Sequence, residues 1–330
     1  MAKSKDTTSA LELPDNRLAL TVYGEHNSHL QHIEQMLDVT IADRGNRLAI
    51  KGESEAVELA EAVLNDLIEK ARKSKTGLEL QDVTASLRFI KTDSLKKGPH
   101  KMADHYEDEK MPSIKLSKKE LSARTPNQAA YIKALKKHDM IFGLGPAGTG
   151  KTYLAVGMAV HLYEQGQVER MIFCRPAVEA GEKLGFLPGD MREKIDPYLS
   201  PIYDALYDFL GREKTEKLME RNDIEIAPLA FMRGRTLSEA CVVLDEAQNT
   251  TSAQMKMFLS RMGEGSKMII TGDPHQVDLL ENQISGLKEA ATILRDINEV
   301  SFIEFNHDDV VRHSLVSKIL KAYDRFRHGY

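Results

Sequence analysis

The sequence contains no tryptophan and only two cysteines, Cys174 and Cys241, in 330 residues. Two thiols are too few for a disulfide framework or a self-contained zinc site, which excludes both as the basis of the fold. No apolar run approaches the ~20 residues of a membrane-spanning helix, and the start, MAKSKDTTSA, lacks the apolar core of a secretory signal. A basic excess is missing too: 45 Lys and Arg stand against 50 Asp and Glu, a net charge of −5. A chain that coats duplex nucleic acid non-specifically carries the opposite balance, so any such contact must come from a local basic patch. No repeat of solenoid period is visible. What remains is ordinary globular usage, 42% hydrophobic and 29% charged, in a length that suits about two domains. The expectation is a soluble, cytoplasmic protein with reduced thiols and no membrane attachment.

Composition divides the chain into 1–97, 98–122 and 123–330. The first ~20 residues are polar and read as loose. Leu18 to Val22 reads as a strand, and Ser28 to Leu37 has the apolar spacing of a helix. Val39 to Ile41 and Arg47 to Lys51 read as strands around the turn Arg44-Gly45-Asn46, and Glu53 to Lys73 as an amphipathic helix. The result is a small α+β unit. The charged stretch from Gly98 to Ser122 reads as a linker or exposed arm. Beyond it, the runs IFGL (141–144), MIFC (171–174), IEIA (224–227), CVVL (241–244), MIIT (268–271) and FIEF (302–305) alternate with helical stretches. Strands apolar on both faces predict an α/β fold with a buried parallel sheet and helices on each side.

Gly145-Pro146-Ala147-Gly148-Thr149-Gly150-Lys151-Thr152 satisfies the pattern G-x-x-x-x-G-K-[ST] between a predicted strand and a predicted helix. Glycines let successive N–H groups converge on phosphate oxygens. Lys151 adds a mobile cation, Thr152 a hydroxyl for Mg²⁺, and the helix N-terminus a positive dipole. A chance Gly-rich turn of this pattern arises in about one chain of this length in a hundred, so a phosphate loop is the better reading. Ala240 to Leu244 runs into Asp245-Glu246-Ala247-Gln248. Asp245 suits Mg²⁺ held through water, and Glu246 suits the polarisation of an attacking water. Alone the pair reads as an acidic loop; behind a phosphate loop it reads as hydrolytic machinery. Thr271-Gly272-Asp273-Pro274-His275-Gln276 closes another strand, where Gln276 is a candidate γ-phosphate sensor supported by Asp273. A plain Gly-Asp-Pro turn is the alternative.

Together with Arg175 to Asp190, Leu244 to Asn249, Gly272 to Leu279 and Asp309-Val310-Val311-Arg312-His313, these residues resemble the PhoH family, over about 124–327. The resemblance implies an ATPase core similar to the first motor domain of superfamily 1 helicases, with ATP and Mg²⁺ as ligands. It implies that Gln128, after Thr125-Pro126-Asn127, reads the adenine edge with an amide that both donates and accepts. It also puts Arg312 at the family's arginine position, where it would serve a neighbour's ATP in a homo-oligomeric ring; a surface arginine is the plain alternative. The N-terminal unit is similar in outline to a KH RNA-binding domain, with Gly24-Glu25-His26-Asn27 at the backbone-clamp position. A small assembly domain is the alternative there. Arg175, Lys183, Arg233 and Arg235 are candidate RNA contacts. His26, His29 and His32 read as a solvated helix face rather than a zinc site, and the two cysteines as inert core.

Two functions follow. One is an Mg²⁺-dependent ATPase coupling hydrolysis to RNA binding or remodelling as a ring. The other is a nucleotide-dependent assembly module that recruits an rRNA-maturation endoribonuclease without unwinding RNA, a partner implied by the resemblance alone.

Overall fold

The computed structural model describes residues 6–73, 77–97, 112–176, 191–279 and 283–310. The chain divides into two compact units: residues 1–110 with 124–126, and residues 111–123 with 127–330.

In the N-terminal unit the order is β1 (Asp6–Glu12), α1 (Asn16–Tyr23), α2 (Ser28–Leu37), β2 (Thr40–Arg44), β3 (Arg47–Glu53), α3 (Ser54–Lys73) and α4 (Leu80–Lys97). The three strands form an antiparallel sheet in the order β1-β3-β2. Two expectations are corrected here. The polar start is an edge strand whose backbone pairs with β3 from Asp6–Glu53 to Glu12–Arg47, a bonding that asks nothing of side-chain hydropathy. Leu18 to Val22 lies in α1, because Asp15 caps it by accepting from the Leu18 amide at 2.8 Å and Ala19, Val22 and Tyr23 meet the core on one face. α3 and α4 close the core with Val57, Val63, Leu64, Leu67, Val83 and Leu87.

The C-terminal unit begins inside the stretch expected to be a linker. β4 (Ser113–Lys115) and β5 (Glu120–Ser122) form an antiparallel hairpin that packs on α6 (Lys151–Glu164). Ile114 and Leu121 are buried, and a Cβ on Gly157 would stand 2.4 Å from Leu121 Cδ1, so only glycine admits the hairpin at that turn of the helix. Polar anchors complete the attachment. The Ser117 amide donates to Glu164 at 2.9 Å, and Lys119 reaches Tyr153 Oη at 2.7 Å and the carboxylate of Asp208. Only residues 98–111 of the expected linker lie outside the described ones.

α5 (Pro126–Lys137) precedes β6 (Met140–Leu144), and after α6 come β7 (Arg170–Arg175), α7 (Met191–Leu210), α8 (Arg212–Glu220), β8 (Ile224–Pro228), β9 (Ala240–Leu244), α9 (Ser252–Leu259), β10 (Lys267–Gly272), α10 (Gly286–Ile293) and β11 (Val300–Glu304). All six expected strands are present. They form one parallel sheet in the order β11-β6-β10-β9-β7-β8. Phe142, Ile172, Val242 and Ile270 cluster with Met255 and Phe258 of α9 and Leu287 and Ala290 of α10. The alternate residues Ile141, Val243 and Ile269 are equally buried and point to the opposite face, where α6 packs. Both faces are covered, which is why the strands read as continuous apolar runs.

Tyr131 of α5 sits edge-on to Phe305, ring centroids 5.4 Å apart, and is fully buried with no hydrogen-bond partner for its hydroxyl among the described residues. Burial pushes that hydroxyl's pKa far above its ordinary value. An unsatisfied buried hydroxyl costs about 1–3 kcal/mol. Tyr131→Phe is therefore expected to leave thermal stability unchanged or raised; a clear drop in Tm would show that the hydroxyl has a partner.

Candidate functional site

The carboxyl ends of β6, β9, β10 and β7 lie side by side, because β10 is inserted between β6 and β9. Ligands of open parallel sheets gather at this edge. The loop from Gly145 to Gly150 leaves β6 here. Gly145 has φ +141°, and a Cβ there would stand 2.4 Å from the Phe305 carbonyl oxygen, so the loop can start only with glycine. Gly148 and Gly150 also have positive φ, and α6 begins at Lys151 with Gly150 as its N-cap. The expected phosphate loop thus has its strand-loop-helix context.

Lys151 folds over its own loop, with Nζ 2.6 Å from Gly145 O and 2.7 Å from Pro146 O. Burial lowers its pKa, opposed by the negative charges of Asp273, Asp245 and Glu246. An ammonium drawn toward three carboxylates is poised to exchange carbonyls for phosphate oxygens. Thr152 Oγ1 donates to Asp245 Oδ1 at 2.7 Å, and Thr271 Oγ1 donates to the same oxygen at 2.7 Å. Asp245 is buried at the end of β9, its amide bonded to the Cys174 carbonyl of β7 at 3.0 Å. A hydroxyl and a carboxylate side by side are hard oxygen donors. They fit Mg²⁺, which is commonly held by one or two protein oxygens together with waters and substrate phosphates. Among the described residues no cluster of three or more His, Cys, Asp or Glu offers an all-protein cage.

Glu246 follows with φ +52°, a left-handed conformation costing about 1–2 kcal/mol in a residue with a Cβ. Oε1 lies 2.8 Å from Arg175 Nη2, and Oε2 accepts from Gln248 Nε2 at 2.5 Å. Arg175 also stands 3.4 Å from Asp245 Oδ2. Arg175, read from sequence as a possible RNA contact, is thus the cation of the carboxylate pair. Gln248, Thr271 and Asp309 join the site without having been singled out; their signal is positional, at or just beyond the ends of β9, β10 and β11.

Gln128 is buried beside the loop, donating through Nε2 to Thr149 O at 2.9 Å. Asn127 next to it donates to Asp309 Oδ2 at 2.8 Å, and the Asn306 amide reaches the same oxygen at 2.9 Å. These bonds fix one side wall of the loop. Asp273 is buried, its amide bonded to Gln248 Oε1 at 3.1 Å and its Oδ1 accepting from the His275 amide at 2.9 Å. Gln276 is exposed on the turn, its amide 3.1 Å from Asp273 O.

The remaining basic candidates separate. Arg235 is held by both oxygens of Glu225, at 2.6 and 2.7 Å, which spends its guanidinium inside the unit. Arg233 is exposed in the loop after β8. Lys183 and Arg312, with 177–190, lie outside the described residues. Both cysteines are buried free thiols; burial raises Cys174 and pushes Cys241 up to about 12, which leaves them unreactive at neutral pH.

In the N-terminal unit the loop Gly24 to Asn27 joins α1 to α2, a correction to its expected place between strand and helix that follows from α1 being a helix. His26 and Asn27 adopt left-handed backbone, and Asn27 Nδ2 donates to Asp43 Oδ1 at 3.0 Å. The expected solvated histidine face is also corrected. His29 is buried against Val22 O at 3.1 Å, and His32 bonds Thr84 Oγ1 at 3.1 Å. Burial, then the charge of His29, lowers the His32 pKa.

A phosphate loop and an acidic strand end, aligned on one parallel sheet, define a nucleotide-binding protein of the P-loop NTPase class. No described helix is long and apolar enough to cross a membrane. The family model for "PhoH-like protein" matches residues 120–324. The chain belongs to the PhoH family. It is 49% identical over 317 residues to a PhoH-like protein of Bacillus subtilis (strain 168), covering 96% of each. A PhoH-like protein of Synechocystis is 46% identical over 320 residues, covering 97% of this chain and 95% of that one. Protein PhoH of Escherichia coli (strain K12) is 43% identical over 203 residues, 61% of this chain and 57% of that one.

Proposed function

We propose that this protein is an Mg²⁺-dependent ATPase that couples hydrolysis to RNA binding or remodelling as a homo-oligomeric ring. The carrying observation is the convergence of Lys151, Thr152, Asp245 and Glu246 at one sheet edge. In this reading the loop amides and Lys151 bind the β- and γ-phosphates, while Thr152 and Asp245 hold the metal. Bound there, Mg²⁺ would supply positive charge to offset that of the nucleotide's phosphates. Glu246 takes the proton of the attacking water, Gln276 senses the γ-phosphate, and Gln128 reads the adenine edge. Arg312 reaches the ATP of the adjacent subunit.

RNA is the proposed partner on two grounds. The N-terminal order β-α-α-β-β-α-α, with a Gly-initiated loop between the first two helices, supports the reading of a KH-like unit. Arg233 adds an exposed cation on the segment between β8 and β9. The test is phosphate release from ATP with and without single-stranded RNA. Stimulation of at least several-fold is expected; turnover indifferent to RNA contradicts the coupling.

One observation favours the second reading, a nucleotide-dependent module that recruits an rRNA-maturation endoribonuclease. Both oxygens of Glu246 are engaged, which suits slow turnover and a role in reporting nucleotide state. ATP-dependent, RNA-indifferent capture of the nuclease is its signature.

A further inference from the structure

Two donors hold the Glu246 carboxylate, one on each oxygen. Gln248 is the fixed one: it is buried, its Oε1 accepts from the Asp273 amide at 3.1 Å, and its carbonyl accepts from Ser285 Oγ at 2.8 Å. Arg175 is the more exposed one. Its side chain is 17% exposed and also stands 3.4 Å from Asp245 Oδ2, and its bond to Glu246 is to a carboxylate itself 41% exposed. One donor on each oxygen leaves lone pairs for a water, but a carboxylate paired with a cation is a weaker base toward that water than an unpaired one. Guanidinium pairs at least as well with phosphate as with carboxylate, so one anion can replace another at little cost.

The setting names the anion. Arg175 ends β7 level with Pro228 of β8, and the loop that leaves β8 carries the exposed Arg233. The two arginines thus follow adjacent strands, Arg175 at the end of β7 and Arg233 five residues beyond the end of β8, and a pair of such cations suits successive phosphates of a chain. We propose that Arg175 is a latch on Glu246 that the phosphodiester backbone of single-stranded RNA opens. A backbone phosphate takes the guanidinium; the freed carboxylate accepts a proton from the attacking water as its oxygen bonds to the γ-phosphorus and the bond to the β-phosphate oxygen breaks. Arg175 is a positioning residue acting through Glu246. This inference deepens the proposed RNA-coupled hydrolysis and rests on it.

The test measures ATP turnover of the full chain with and without oligo(U) RNA, in wild type and Arg175→Met. Without RNA, the Met variant is expected to turn over roughly fivefold faster than wild type, with an unchanged KM for ATP, and to gain almost nothing from RNA. A merely structural residue would not raise the basal rate when lost. Arg175→Lys, which keeps a cation but not the planar fork, should fall between the two, and it carries the test if circular dichroism shows the Met variant unfolded. A Met variant that is slower, or stimulated like wild type, overturns the latch and leaves the ATPase standing. Wild type that hydrolyses ATP without responding to RNA overturns the RNA coupling and the latch together, and wild type without hydrolysis overturns the proposed function itself. If the Met variant binds ATP but not ADP more weakly, Arg175 serves the nucleotide's own γ-phosphate, and RNA as the opener is overturned.

Discussion

Glu246→Gln is expected to bind ATP about as well as wild type and to lose ~10²–10⁴ of turnover, the usual cost of a missing general base. The physical reason is a separation of tasks along the sheet edge. In the proposed function, contacts to the nucleotide come from the β6–α6 loop, with Lys151 and Thr152, whereas Glu246 stands just past the end of β9 with Arg175 and Gln248 as its partners. Glutamine keeps the shape and can still meet Gln248, but it has no charge for Arg175 and cannot hold a proton taken from water. Single-turnover phosphate release beside a nucleotide titration separates the two effects. Hydrolysis at the wild-type rate would remove Glu246 from the role of base.

Arg312→Ala carries a comparable or larger expected loss, ~10³–10⁵ in turnover with nucleotide affinity nearly intact, as for arginine fingers that neutralise charge developing on the γ-phosphoryl group. The arginine that the described residues bring to Asp245 and Glu246 is Arg175, which those carboxylates hold. In the proposed ring, Arg312 of the adjacent subunit would add its charge to that of Lys151 in the transition state. Mixing decides between arrangements. Arg312→Ala chains and Glu246→Gln chains, each inactive alone, are combined under conditions of demonstrated subunit exchange. Partial return of activity is the trans result, because some interfaces then join an intact Glu246 site to an intact Arg312. No return in any ratio would make Arg312 a local residue.

The parts of the fold legible in the sequence are those where burial dictates composition. β6, β7, β9 and β10 are covered on both faces, and their apolar runs leave no other reading. Legibility fails where the backbone alone makes the structure. β1, DTTSALE, pairs through its main chain and keeps mostly polar side chains, and β4 and β5 are three residues each in a charged stretch. LALTV offered strand-forming residues, yet the stronger signal was Asp15, a helix cap placed just before them.

The site divides along the same line. Lys151, Thr152 and Asp245 follow from local motifs, since a phosphate loop and an acidic strand end are contiguous in sequence. The bond from Arg175 to Glu246 joins residues 71 apart, and the one from Asn127 to Asp309 joins residues 182 apart. Only strand order makes them neighbours. The sequence offers Arg175 only as a candidate RNA contact, because nothing local shows that β7 lies against β9 and brings it to Asp245.

The central claim is that the loop from Gly145 to Thr152 holds the phosphates of a nucleotide, and calorimetric titration of ATP into the wild-type chain and Lys151→Ala tests it most directly. Removing a charged partner of a phosphate costs about 1.5–3 kcal/mol, or about one to two decades in Kd. The account predicts saturable binding to wild type and affinity at least ~10-fold weaker in a folded Lys151→Ala. Equal affinity in the two would contradict it.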